Sequence, residues 1–270
     1  MSSLHQLNCQ RRTAMKIIAS NVATLTLPIT LTSCRFPPQK SIKHIITLSF
    51  DDGFKQSSIR TAEIFEKYHL SACMNVIASA HYDTFKFPNE YHKWPVGDFG
   101  LWNELKARGH EIMPHGYDHS NLSQLELSKA KDKIMRCFDV FSKELNGFDS
   151  KESVFNFPYN ASTPELEGWL VEQVKAFRTG GNPINPLPYN NQKKLTCTSY
   201  GPENIDNHLK QQIGKLFSQP SGWLIYNTHG LDDEGWGPLT SKCLDEILER
   251  LTKIKTVAIL PVGKALSTIG

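Results

Sequence analysis

The sequence predicts an α/β fold, a distorted (β/α) barrel of about seven parallel strands. Two observations carry that expectation. Along residues 44–270, short apolar runs alternate with helical segments, the rhythm of parallel βα units, and a closed barrel suits a chain of this length. Carboxylates and histidines also gather directly after the apolar runs, where the C-terminal loops of a barrel build an active site.

The first strand is "HIITLSF" (44–50), which runs into Asp51, Asp52 and Gly53. Residues 55–68 read as a helix with Ile59, Ile64 and Phe65 on one side. "ACMNVIAS" (72–79) is the next strand; residues 97–108 form a helix closed by Gly109 and lead into "HEIMPH" (110–115). Over 123–145 apolar residues recur at 127, 130, 134, 137, 138, 141 and 145, a long helix. Ser123 is its predicted N-cap, with Glu126 completing a capping box. "SVFNF" (153–157) is a strand, 163–174 a helix, and Arg178, in "AFRTGG", follows a strand. A helix over 204–218, the strand "GWLIYNTH" (222–229), a helix over 238–254 and the strand "TVAILPV" (256–262) complete the series.

Ahead of this domain the chain reads as an address. Arg11, Arg12 and Lys16 precede an apolar stretch without acids that ends in Leu31-Thr32-Ser33-Cys34. The pattern predicts an export signal over 1–33 with a lipoprotein box, lipidation at Cys34, a tether over 34–43 and a catalytic domain over 44–270. The expected location is the bacterial cell envelope, on the periplasmic or surface side, held to the membrane by the lipid. The stretch from Ile17 to Ser33 holds four threonines and a proline, a poor membrane span. Removing 1–33 takes away three basic residues and no acids, leaving 27 of each sign. A neutral mature chain gives no electrostatic footprint for nucleic acid. Cys73, Cys137, Cys197 and Cys243 are widely spaced without a C-x-x-C pair and read as small buried hydrophobes.

Two adjacent carboxylates at a strand end repel each other and resist burial unless something positive compensates them. The other strand ends supply "HGYDHSNLS" (115–123), "FPYNAST" (157–163) and "THGLDDEGWG" (228–237). Two histidines four residues apart, joined by a carboxylate from another strand, make a site that zinc, iron or cobalt accepts with positions left open. Trp236 reads either as a wall for a sugar ring or as a tryptophan packed on the barrel rim.

In this order the four stretches resemble the polysaccharide deacetylases, carbohydrate esterase family four, also called the chitooligosaccharide deacetylase homology domain. "SFDDG" matches the family's [TS]-F-D-D-G motif and "HGYDHSNLS" its H-x-x-x-H-[SP]-x-L motif. "FNFPYN" stands where the family has F-R-P-P-Y-G or F-A-Y-P-Y-G, and "WLIYNTHG" where a late strand ends in the catalytic histidine. The resemblance implies that Asp52, His115 and His119 hold a divalent metal, zinc first among them, while Asp51 is the general base. It further implies that His229 protonates the leaving group and that the Tyr159 backbone N–H completes an oxyanion site. The expected function is therefore metal-dependent removal of acetyl groups from an acetylated polysaccharide or oligosaccharide, N-acetyl sugars favoured. The alternatives are an O-acetyl glycan esterase and a non-catalytic glycan-binding lipoprotein.

The chain departs from the pattern in four places. Asn156 stands where many members have an arginine that pairs with the base, Asn160 replaces the glycine of the third motif, and Asn227 replaces a leucine two positions before the histidine. No clear counterpart to the family's fourth motif, an Asp near a Trp, is found. Arg178 is the candidate to restore the missing positive charge beside the base.

Overall fold

The computed structural model of the protein describes residues 41–87, 91 and 93–268. The expected export signal, Cys34 and the start of the tether lie outside these residues. Strands and helices alternate as β1 (His44–Asp52), α1 (Lys55–Glu66), β2 (Cys73–Val76), α2 (Phe99–Ala107), β3 (Glu111–Pro114) and α3 (Leu127–Glu144). They continue with β4 (Val154–Asn156), α4 (Pro164–Leu170), β5 (Ala176–Gly180), β6 (Ile184–Asn185), β7 (Lys194–Cys197) and α5 (Asp206–Phe217). Last come β8 (Gly222–Thr228), α6 (Ser241–Thr252), β9 (Val257–Ile259) and α7 (Val262–Ser267).

Two sheets make the barrel. One runs β3-β2-β1-β8-β6 with β9 on the end of β1; the other runs β4-β5-β7. All the pairings are parallel except β6 on β8. The seams between the sheets are closed by scattered bonds. At one seam the Asn156 side chain donates to the Pro114 carbonyl (3.4 Å) and the Val154 N–H to the Met113 sulfur (3.4 Å). At the other, Thr198 bridges Tyr226 and the Asn227 N–H donates to the Thr198 carbonyl at 2.8 Å. Seven parallel strands thus encircle the interior (β1, β2, β3, β4, β5, β7 and β8), and it is the two loose seams that distort the barrel.

Period-two alternation sorts each strand's side chains. On β1, Ile46, Leu48 and Phe50 join the large cluster beneath the helices, and Ile45 joins the inner cluster with Cys73, Val154, Ala176, Leu195, Trp223 and Ile225. The same inward parity carries Thr47, Ser49 and Asp51, all buried. The interior is therefore apolar low in the barrel and polar at the C-terminal ends of the strands. All four cysteines of the described residues are buried and free, as small hydrophobes would be.

One predicted element moves. The long helix starts at Leu127, and its N-cap, Glu126, makes no side-chain capping bond. Ser123 instead belongs to a short 3₁₀ turn, where the Asn121 carboxamide oxygen accepts from both the Ser123 N–H (3.2 Å) and its hydroxyl (2.7 Å). This local side-chain turn takes the groups the capping box would have used.

Candidate active site

Alternation alone would send Asp52 away from Asp51. Instead Asp52 has φ 74°, a left-handed conformation that Asp tolerates better than most residues. That single turn brings both neighbouring carboxylates to the top of the barrel, where they line one cavity of about 430 Å³ with His115, His119, Tyr159, Asn160, Asn227, His229 and Trp236. His115 leaves β3 directly, and His119 returns to it with φ 56°. Between them, Gly116 (φ 77°) lies where an added Cβ would sit 2.9 Å from the Pro158 ring, so the third motif packs on the second through a missing side chain. Tyr159 and Asn160 both have positive φ (58° and 51°); Asn160 does occupy the left-handed position of the family's glycine.

The Asp52, His115 and His119 ligand atoms all lie within 4.8 Å of one another. Asp52 Oδ1 is 3.4 Å from His115 Nε2 and 3.2 Å from His119 Nε2. His115 Nδ1 lies 2.9 Å from the Asn156 carbonyl, which only accepts; Nδ1 therefore holds the proton, and Nε2 turns a lone pair toward Asp52. Asp52 Oδ1 itself is buried without a hydrogen-bond partner. A cation held between these atoms would satisfy all three ligands at once. Two ligand atoms each about 2.1 Å from a tetrahedral zinc stand about 3.4 Å apart, so the three side chains fit such an ion. Burial pushes Asp52 up, but the charge of His119 and the closeness of both imidazoles outweigh it and hold the carboxyl well below the usual range.

Asp51 is held differently. Asn75 Nδ2 (2.6 Å) and Arg178 Nη1 (3.0 Å) donate to its Oδ1; Arg178 Nη2 (2.5 Å) and Asn227 Nδ2 (2.7 Å) donate to its Oδ2. Burial raises this carboxyl, and the Arg178 charge, with His115 and His229, brings it below the usual range. Arg178 is fully buried and also donates to Ser49 Oγ (2.7 Å). Asn156 and Arg178 face each other across the β4–β5 register; the charge stands one strand away from the motif position. Asn156 instead donates to Asn75 Oδ1 (2.9 Å) and supports the other end of the network. Asn75 and Ser49 were not legible as site residues, although their inward parity beside Asp51 is the signal that would have found them.

His229 follows the end of β8, the strand paired with β1 through Phe50 and Thr228. Burial lowers it and the two aspartates raise it, with a net shift downward, so the neutral ring prevails at pH 7. Its Nδ1 is buried without a partner. The Trp236 ring stands edge-on to it, centroids 5.2 Å apart at 88°. Tyr159 packs on the His119 ring at 4.7 Å.

Fold and site together define an α/β barrel carrying an Asp–His–His constellation at the C-terminal ends of its strands. A family model described as polysaccharide deacetylase matches residues 39–173, half of the chain, and the chain belongs to that family. No curated protein matches it. Among solved structures it is similar to a family 4 acetyl xylan esterase from Clostridium thermocellum in complex with a cobalt ion. That similarity has 17% identity and TM-score 0.55, covering 83% of this chain and 90% of that one. The peptidoglycan deacetylase PdaC from Bacillus subtilis gives 16% identity and TM-score 0.50 over 83% and 90%. A mutant of BA3943, a family 4 pseudoenzyme with restored activity, gives 13% identity and TM-score 0.53 over 86% and 69%. At these identities the likeness is one of fold.

Proposed function

We propose that the protein is a zinc-dependent deacetylase of an acetylated glycan, with N-acetyl sugars preferred, exported and anchored by lipid at Cys34. The observation that carries the reading is the Asp52–His115–His119 constellation together with Asp51 and His229 in one cavity. A divalent cation held there supplies Lewis acidity, polarising an acetyl carbonyl and making water easier to deprotonate. Asp51, ionised and fixed by Arg178, Asn75 and Asn227, is placed to take the proton from the attacking water. His229, once protonated, gives a proton to the departing amine, which cannot leave as an anion, and Asp51 releases the proton it took from water to solvent as the cycle closes. The Tyr159 backbone N–H, in its left-handed turn at the cavity edge, stabilises the developing oxyanion. Binding alone has no use for a proton acceptor and a proton donor beside a cation site, so an enzyme is the better reading than a binding module.

The test is acetate release from a panel of N- and O-acetylated glycans by protein beginning after Cys34, stripped of metal and reloaded with zinc. Release from N-acetyl glycans that depends on the metal supports the proposal. Release from ester-linked acetyl groups alone assigns an esterase, and glycan binding without any release assigns a binding module.

A further inference from the structure

His229 has a task that depends on direction, and its Nδ1 lacks the hydrogen-bond partner that would fix the ring. Its ring contact in the structure is with Trp236. Trp236 is itself fixed. A Cβ on Gly201 would fall 2.7–2.8 Å from three indole atoms, so the indole lies directly against the Gly201 backbone. The next residue, Gly237, donates its N–H to the Pro202 carbonyl (3.0 Å) and accepts from Thr228 Oγ1 (3.2 Å), the hydroxyl of the residue before His229. The indole is thus wedged between the 200–202 loop and the imidazole.

We infer that Trp236, seated on Gly201, is the positioning residue of His229, holding by ring packing the orientation for which no hydrogen-bonding partner is present at Nδ1. The inference rests on the deacetylase reading for His229's task and goes beyond it. Trp236 sets the delivery of the proton, a role separate from that of a wall for sugar. Gly201 is the device that makes room, since any side chain there drives the indole toward His229.

Aryl acetates with leaving phenols of graded acidity separate the two roles, because they have no sugar ring to stack. In Trp236→Ala, turnover of the most activated ester stays near wild type, while the least activated ester falls about ten- to a hundredfold, the cost of an ångström-scale misplacement. The rate then depends more steeply on leaving-group acidity, as it does in His229→Ala. Trp236→Phe restores much of the loss, and Gly201→Ala reproduces part of it. An unchanged slope, with only a raised KM for glycan, would overturn the inference and leave Trp236 as a wall. A readout without turnover keeps the inference distinct from the deacetylase reading. In protein labelled with ¹⁵N at histidine, the His229 ring signals should be sharp in wild type and Trp236→Phe, and broadened or shifted in Trp236→Ala and Gly201→Ala. Unchanged His229 signals in a folded Trp236→Ala protein also overturn it, whether or not any acetate is released.

Discussion

Replacing Arg178 by methionine keeps most of the side chain's volume and removes its charge. The structure sets the size of the effect. Arg178 is fully buried and gives Asp51 two of its four hydrogen bonds; the two that remain come from the neutral amides of Asn75 and Asn227. Breaking a buried pair from one side costs about 3–5 kcal/mol, and the remaining donors place this case near about 3 kcal/mol. For a domain of this size that lowers Tm by about 6–12 °C. The sign of the pH dependence follows from Asp51. Its folded pKa is depressed, so its stabilisation is present above the unfolded value and is lost as pH falls through the folded one. In the variant, burial loses its largest opponent and raises the carboxyl. The penalty of Arg178→Met should therefore be largest near neutrality and shrink below about pH 4, where the protonated acid needs no partner. Urea unfolding at pH 7 and pH 3.5 measures both values. Because Asn156 and Arg178 are register partners, the exchange Asn156→Arg with Arg178→Asn should recover part of the loss. A penalty under about 1 kcal/mol, or one independent of pH, would refute the reasoning.

The metal ligands make a second prediction: elemental analysis of wild type should give roughly one metal per chain, and His115→Ala and His119→Ala should each lose most of it, and with it the rise in Tm on adding zinc. Asp51→Asn should retain the metal but turn over about two to four orders of magnitude more slowly; equal rates would show that the base is another group. In a bacterial host, Cys34→Ala should move the protein out of the membrane fraction, and unchanged partitioning would reject the anchor.

The barrel and the clustering of Asp52, His115 and His119 were legible because both are written locally. Asp51-Asp52 and His115–His119 lie at the ends of clear apolar runs, and a strand end in a parallel barrel has only one place to go. What lay hidden was set by pairing across the barrel. The "KLTC" of β7 and the two residues of β6 sit in a stretch rich in Pro, Gly and Asn, too short for a periodicity to show. Asn75 reads as one polar residue in an apolar strand, and only the β1–β2 register reveals that Asp51 lies beside it. Arg178 was identifiable as a candidate, but the register that sets it opposite Asn156 belongs to the fold. The start of α3 went astray for a local reason: Asn121, two residues before Ser123, offered a competing partner.

The central claim is that the two adjacent aspartates divide their labour around one cation, and a titration tests it most directly. Metal-free protein is loaded stepwise with zinc while acetate release from an N-acetyl glycan is followed. The account predicts a rate that rises in proportion to bound zinc and levels off at about one ion per chain, with Asp51→Asn taking up the same ion and staying slow at saturation. Full turnover without metal, or undiminished turnover by zinc-loaded Asp51→Asn, would contradict it.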